Sequence, residues 1–122
     1  MIRVYGLKNC DSCRQARKYL TNQEIDHQFI DLRETPPTPG QVKAWLAILG
    51  EEKLLNRRST SWRQLPDEHK VPIGHLSEQH LIALICAHPT LVKRPLFVNG
   101  PLMLTGFKSD ILEQWLQADE ED

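Results

Sequence analysis

Two short stretches of alternating apolar and polar residues flank a helical pattern in the first third of the chain. The alternation at 2–5, followed by Gly6, predicts a strand. From Asp11, a candidate N-cap, apolar residues recur about one helical turn apart, at Cys13, Ala16 and Leu20. The stretch 27–32 alternates again, so we expect strand, helix and strand to form a right-handed parallel unit.

The middle of the chain shows two longer helical patterns separated by an irregular basic stretch. The segment 38–41 is a capping box with proline at its favoured first position, and it predicts a helix that ends at Gly50. The apolar side of this helix is expected at Val42, Trp45, Leu46 and Leu49. We expect short helices within 51–65 and a further helix capped by Ser77 and ended by Pro89.

The last part of the chain predicts a hairpin and a helix. Apolar runs at 96–98 and 102–104 flank Asn99 and Gly100, a dipeptide typical of two-residue hairpin turns. Apolar residues at helical spacing follow within 111–116. The complete order is β-α-β, then helices, then β-β-α.

This order is that of an α/β protein with a thioredoxin-like fold and a helical insertion between its two halves. We expect a single domain over 1–117, with the insertion at about 38–90 and a solvated acidic tail at 118–122. A chain of 122 residues fits one such domain.

Composition narrows the range of partners. The formal net charge is −1, which argues against a general polyanion-binding surface, so we expect no direct binding of nucleic acid. No run approaches the roughly 20 apolar residues of a membrane span, and the first residues lack the pattern of a secretory signal. We therefore expect a cytoplasmic protein with no membrane contact. Its three cysteines do not fit a structural disulfide framework in that compartment.

Two of these cysteines, Cys10 and Cys13, lie where the first strand passes into the first helix. Unpaired N–H groups and the dipole at a helix start stabilise a thiolate. Lys8 and Arg14 add positive charge nearby, and Asn9 makes the loop polar. Cys10 precedes the helix proper, so we predict that Cys10 is the attacking nucleophile and that Cys13, one turn later, resolves the adduct.

Two other interpretations of the cysteine pair are open. Cys10 and Cys13 could form half of a zinc site completed by His75 and His80, although some sixty residues separate the pairs, unlike the short spacers typical of zinc sites. They could also be packing residues, although their surroundings are polar. We favour the redox interpretation and expect no bound metal.

Two compact basic clusters occur downstream, one around Arg57 and Arg58 and one at Lys93 and Arg94. Such clusters are often merely solvated. A guanidinium group can also donate paired hydrogen bonds to an oxyanion and stabilise a facing thiolate, which makes Arg94 and Arg58 candidate oxyanion-binding residues. Pro95 follows Arg94 at the start of a predicted strand, a position where proline costs no ladder hydrogen bond.

Three motifs, YGLKNCD at 5–11, LLNRRSTSWR at 54–63 and HPTLVKRPL at 88–96, resemble those of the arsenate reductase (ArsC)/Spx family, and most closely its YffB subgroup. The resemblance spans nearly the whole chain. It implies a thioredoxin-like fold with a helical insertion and a catalytic cysteine at Cys10. It also implies that Arg94 precedes a cis-proline, Pro95, and that Arg58 lies in a segment lining the pocket.

Two positions depart from the family pattern. Typical members that reduce arsenate have one cysteine in the first loop, whereas Cys13 here makes a C-x-x-C pair similar to the redox switch of Spx-type regulators. A third family arginine is replaced in the stretch that contains Lys108, a point charge without the guanidinium fork.

The sequence therefore predicts an ArsC-like thiol oxidoreductase, a glutathione- or thiol-dependent enzyme. Its substrate is expected to be an oxyanion, arsenate included, or a small disulfide such as one containing glutathione. We expect no tightly bound cofactor, with glutathione or another thiol as co-substrate and glutaredoxin or thioredoxin as a protein partner. The alternative is an Spx-like redox-responsive transcriptional adaptor that binds RNA polymerase.

Overall fold

The computed structural model describes residues 1–71 and 74–120, and the side chains up to residue 118 outside that gap. Its regular elements, in chain order, are β1 (Ile2–Gly6), α1 (Asp11–Asn22), β2 (His27–Asp31), α2 (Pro39–Leu54), α3 (Thr60–Arg63), a 3₁₀ turn (Asp67–His69), α4 (Glu78–Ala87), a second 3₁₀ turn (Pro89–Leu91), β3 (Leu96–Asn99), β4 (Leu102–Thr105) and α5 (Ser109–Glu120). The chain divides into a sheet unit, Met1–Glu34 with Arg94–Asp122, and a helical unit, Thr35–Lys93.

The sheet unit contains all four strands, in the spatial order β2-β1-β3-β4. Strand β1 pairs in parallel with β2 and antiparallel with β3, and β3 pairs antiparallel with β4. Val4 lies opposite Phe29 on one side and opposite Phe97 on the other. This β-α-β plus β-β-α arrangement is the thioredoxin-like topology, so the predicted α/β fold class is confirmed.

The core of the sheet unit contains the apolar stripe predicted on α1. Cys13, Ala16 and Leu20 are each 0% exposed. Ala16 and Leu20 belong to one cluster with Val4, Phe97 and other buried residues of the sheet and α5. Burial of one large apolar side chain contributes roughly 1.5–3 kcal/mol, so these contacts hold α1 against the sheet.

The hairpin occurs where the sequence predicts it, but its turn is displaced by one residue. Asn99 pairs with Leu102 and is the last residue of β3, so the two turn residues are Gly100 and Pro101. An Asn-Gly turn of type I′ requires positive φ at both central positions. Here Gly100 has a φ of 60°, but the ring of Pro101 keeps the φ of the second turn position negative, so the turn is not of type I′. Asn99 has no positive φ because it is a paired residue of β3.

The helical unit begins with the predicted capping box. Gln41 N donates to Thr38 Oγ1 (3.2 Å), and Thr38 N donates to Gln41 Oε1 (2.9 Å). Gly50 has a φ of 77° and interrupts the helix as expected, but the chain resumes a helical turn and α2 continues to Leu54. Ser77 caps α4 by accepting a hydrogen bond from His80 N at 3.1 Å.

The predicted acidic tail begins inside the last helix, because α5 continues to Glu120. Glu121 and Asp122 lie outside the described residues. Across 1–71 and 74–120, none of the helices combines the length and apolar character needed to traverse a bilayer.

Candidate active site

Cys10 is the N-cap residue of α1, with extended backbone angles of φ −99° and ψ 124°. Its N–H donates to Leu7 O (3.2 Å), and its carbonyl accepts the first helical hydrogen bond, from Arg14 N (2.9 Å). The suggestion that Asp11 caps the helix is wrong, because the turn closed by Leu7 places Cys10 at the boundary. Asp11 is instead the first helical residue, and its carboxylate binds the Arg14 guanidinium.

The thiol of Cys10 is half-buried, and opposing influences act on its ionisation. Burial raises its pKa. The backbone N–H and the thiol of Cys13 and the guanidinium of Arg94 favour the thiolate more strongly, so the pKa of Cys10 lies below its ordinary value. The influences that lower this pKa therefore come from the second cysteine at the start of α1 and from one cation. Cys10 is therefore the more readily ionised sulfur of the pair and the better nucleophile near neutral pH.

Cys13 has the opposite character. Its side chain is 0% exposed. Burial and then the neighbouring Cys10 sulfur raise the pKa of Cys13 to about 12, although the Leu7 backbone and Arg94 act in the other direction. Cys13 therefore stays protonated over the physiological range, and both cysteines are free thiols in this structure.

Arg94 reaches the Cys10 sulfur because of the register between β1 and β3. Leu96, the first residue of β3, pairs with Tyr5 near the end of β1, so the residues just before β3 lie at the end of the central strands where the Cys10 loop leaves β1. The Arg94-Pro95 peptide is cis, as the family resemblance implies. Arg94 is half-buried and Pro95 is buried, and Pro95 O accepts a hydrogen bond from Gly106 N at 2.9 Å.

Lys8 and Arg14, the cations expected near the Cys10 loop, are paired with carboxylates. Lys8 Nζ donates to Glu34 Oε1 at 2.7 Å, with both side chains about 60% exposed (61% and 60%). This hydrogen bond raises the pKa of Lys8. Arg14 is held by Asp11, and Asn9 is exposed. Contributions of Lys8, Asn9 and Arg14 to a binding site stay predictions.

Asp31, which the sequence interpretation missed, anchors the loop before Cys10. Its carboxylate accepts hydrogen bonds from Lys8 N (2.9 Å), Arg33 N (2.8 Å) and Glu34 N (3.3 Å). Partial burial raises the pKa of Asp31, but these donors and the charge of Lys8 lower it by a larger amount, so the net shift is downward. The sequence did show an aspartate at the end of the second predicted strand. It did not show that this aspartate binds Lys8, which lies 23 residues away.

Arg58 belongs to the helical unit. It is exposed and, together with its neighbours, lines a cavity of about 480 Å³ formed by Glu52, Leu55, Asn56, Arg57, Arg58 and Lys93. The Arg57 guanidinium in this cluster is bound by Glu51 and by Val71 O. A role for Arg58 in oxyanion binding stays a prediction.

The histidines considered for a zinc site have other surroundings. His80 Nε2 lies 2.9 Å from His69 Nδ1, so the two imidazoles hydrogen-bond to each other, and His75 is exposed. Among the residues that the structure describes, no group of three or more histidine, cysteine, aspartate or glutamate side chains is arranged to hold a metal ion.

The fold and the site together define a protein of the thioredoxin-like class with a cysteine at the N-cap of α1 and an arginine followed by a cis-proline before β3. The ArsC family model matches residues 5–115, and the chain belongs to the ArsC family. The resemblance noted in the sequence motifs is thereby confirmed.

Relatives include both uncharacterised proteins and a regulator. An uncharacterised protein of Haemophilus influenzae is 34% identical over 107 residues, covering 88% of this chain and 91% of its own. The global transcriptional regulator Spx of Streptococcus pyogenes is 29% identical over 121 residues, covering 98% of this chain and 87% of its own. The solved structure of a protein named YffB has 31% identity and a TM-score of 0.86, covering 95% of this chain and 99% of that one.

Proposed function

We propose that this ArsC family member is a thiol-dependent reductase in which the Cys10 thiolate attacks a small disulfide, such as one containing glutathione, or an oxyanion, arsenate included. The observation that carries the proposal is the position of Cys10 at the start of α1, where Cys13 and Arg94 lower its pKa. A partly accessible, ionised sulfur beside a guanidinium is suited to attack an electrophile that carries negative charge.

The first step joins Cys10 to the substrate. With a disulfide, the Cys10 thiolate attacks one sulfur, the S–S bond of the substrate breaks, and the other sulfur leaves as a thiolate. With arsenate, the Cys10 sulfur bonds to arsenic and an oxygen leaves as water after protonation. Arg94 is the proposed donor to the charged oxygens or carboxylate of the substrate.

The second step releases the adduct by attack of another thiol on Cys10 Sγ. If Cys13 is the attacker, a Cys10–Cys13 disulfide forms, and the proton of Cys13 passes to the departing thiolate. With arsenate, the electron pair of the S–As bond stays on arsenic, which is reduced from As(V) to As(III). Glutathione, glutaredoxin or thioredoxin would then supply the thiols that restore the pair, so no tightly bound cofactor is required.

A disulfide substrate is favoured over arsenate within this proposal. The described sheet unit places one guanidinium, that of Arg94, against the Cys10 sulfur. Lys108, in the stretch where the family arginine is replaced, is exposed and cannot form a bidentate fork. A thiol-dependent reductase needs its cysteines kept reduced, as they are in the cytoplasm, and we assign the protein to that compartment.

The test is the glutathione-dependent reduction of bis(2-hydroxyethyl) disulfide, with arsenate assayed in parallel. Cys10→Ser is expected to lower the rate to the uncatalysed background, because serine supplies no thiolate. Cys86→Ser, at a half-buried cysteine on α4, is the matched control and should retain the rate. Full activity of Cys10→Ser would refute the proposal. Loss of activity in Cys13→Ser would assign the second step to the internal thiol.

A second candidate is a redox-responsive adaptor that binds RNA polymerase. It is supported by the coverage of 98% of this chain in the comparison with Spx and by the proximity of the two thiols. In that role the Cys10–Cys13 disulfide is a switch rather than a turnover intermediate. Purified RNA polymerase should then bind the oxidised protein and not the Cys13→Ser variant, with no reductase turnover. Turnover without binding would exclude the adaptor.

A further inference from the structure

Gly6, the last residue of β1, lies directly against the buried thiol of Cys13. A methyl group built at Gly6 would overlap Cys13 Sγ, whereas its distances to Cys13 Cβ and to Phe29 Cε2 would both be 3.4 Å, which is ordinary contact. The sulfur atom of Cys13 is therefore the one serious obstacle to a side chain at position 6.

The backbone of Gly6 does not itself require glycine. Gly6 is a paired strand residue opposite Asp31, its carbonyl accepts a hydrogen bond from Leu32 N at 2.8 Å, and it is not among the glycines with positive φ. An alanine could adopt this conformation without strain. Glycine is needed at position 6 for space, and the space is taken by a sulfur atom.

We propose that Gly6 is a positioning residue, whose lack of a side chain lets Cys13 Sγ lie under the end of β1 and beside the Cys10 sulfur. Cys13 cannot move outward freely, because it is on the buried stripe of α1 with Ala16 and Leu20. Strand β1 on one side and α1 on the other thus fix where the second thiol lies. The catalytic meaning of this arrangement rests on the proposed function, but the packing relation does not.

The position of Cys13 matters to Cys10 because the Cys13 thiol favours the Cys10 thiolate. A methyl group at Gly6 would displace Cys13 Sγ and remove or lengthen that interaction. The contact therefore couples a strand residue that has no functional group to the ionisation of the nucleophile. No such coupling should exist once the Cys13 sulfur is absent, because the obstacle and the donor are the same atom.

The experiment is a double-mutant cycle of Gly6→Ala and Cys13→Ala, made in a Cys86→Ser background so that fewer thiols react. Iodoacetamide alkylation of Cys10 is followed against pH, with the Cys10 peptide quantified by mass spectrometry. With Cys13 present, Gly6→Ala should move the midpoint upward by roughly one pH unit, the size expected for losing a hydrogen bond to a charged atom. In the Cys13→Ala background the same change should move it by less than about 0.3 unit.

Thermal unfolding of the four proteins is the second readout. Gly6→Ala should lower the melting temperature when Cys13 is present, and Cys13→Ala should restore most of that loss. If Gly6→Ala does not fold but the double variant does, the steric coupling is supported. Equal midpoint shifts in both backgrounds, no shift in either, or a double variant no more stable than Gly6→Ala would overturn the inference.

This outcome is separable from that of the proposed function, because the cycle measures ionisation and stability, and neither readout requires turnover. An active Cys10→Ser enzyme would refute the proposed reductase mechanism and leave the Gly6–Cys13 coupling intact. A failed cycle together with an inactive Cys10→Ser enzyme would refute the Gly6–Cys13 coupling and leave the proposed reductase mechanism intact.

Discussion

Two arginines from similar basic clusters have different surroundings in the two units of the chain. Arg94, in the sheet unit, lies beside the Cys10 sulfur and lowers the pKa of that thiol. Arg57, in the helical unit, donates to Glu51 Oε2 (2.5 Å) and to Val71 O (2.7 Å), and its guanidinium lies 5.0 Å from the centre of the Trp62 ring. Arg94 faces a nucleophilic sulfur, whereas Arg57 faces a carboxylate, a backbone carbonyl and an aromatic ring.

The difference shows that the partner of a cation decides what the cation does. A guanidinium beside a thiol changes which protonation state the sulfur adopts, and this alters reactivity. A guanidinium held by a carboxylate, a carbonyl and an aromatic face joins segments of the fold together. The Arg57 and Glu51 side chains are 24% and 9% exposed, so their pairing is screened less by solvent than an exterior ion pair would be.

The largest expected effect on reactivity is at Arg94. Arg94→Ala should raise the pKa of Cys10 by about one unit and slow its alkylation at pH 7 roughly tenfold. The sign follows from the thiolate being the reactive form: the rate rises with pH through the Cys10 pKa, and removal of the cation moves that rise to higher pH. The measurement is the alkylation rate of Cys10 from pH 5 to about 10, a window around the ordinary thiol pKa.

Arg94→Lys is the matched control, because it keeps the charge and loses the planar fork. Its alkylation midpoint should lie between those of the wild type and Arg94→Ala. Folding of both variants is checked by thermal unfolding, so that a general loss of structure is not mistaken for a pKa change. An unshifted midpoint in a folded Arg94→Ala protein would contradict the role assigned to this guanidinium.

The next effect is on stability and concerns Arg57. Arg57→Ala removes the partner of a largely buried carboxylate, and we expect it to lower the free energy of unfolding by about 3 kcal/mol. Arg58→Ala is the neighbouring control. Since Arg58 is exposed, its loss should change the unfolding free energy by less than about 0.5 kcal/mol. Urea unfolding monitored by tryptophan fluorescence measures both, and equal effects of the two variants would remove the distinction between them.

Locally encoded features were predictable from the sequence. The period of apolar residues in α1 identified Cys13, Ala16 and Leu20 as buried, and all three are. The capping box at 38–41 and the serine cap of α4 are formed by residues within one turn of each other, so short sequence windows contain all the information that determines them. The order of strands and helices along the chain was predictable for the same reason, because alternating stretches and turn residues are local patterns.

Features that depend on distant partners were not predictable. Lys8 was expected to support the thiolate, but its side chain is paired with Glu34, which is 26 residues away. The close approach of Gly6 and Cys13 depends on how β1 and α1 pack. The hairpin turn moved by one residue because strand pairing and Pro101, not the Asn-Gly dipeptide alone, set the register. In each case tertiary packing chose between local alternatives.

The smallest expected effect concerns Asp31, whose carboxylate joins the loop before Cys10 to the segment after β2. Asp31→Asn keeps one acceptor oxygen but replaces the other with a donor that faces backbone N–H groups. Solvent reaches this side chain, so the expected loss in unfolding free energy at pH 7 is only about 1 kcal/mol. Asp26→Asn, at an exposed carboxylate before β2, is the control and should change stability by less than about 0.5 kcal/mol.

The pH dependence of this difference identifies its cause. Because the pKa of Asp31 is lower in the folded protein than its ordinary value of 3.8, the carboxylate stabilises the fold fully above that value. The contribution is lost as pH falls through the lowered, folded pKa. The gap in unfolding free energy between wild type and Asp31→Asn should therefore be constant near neutrality and shrink in acid. A gap that is unchanged at low pH would show that the amide disturbs packing rather than the anchoring of the Cys10 loop.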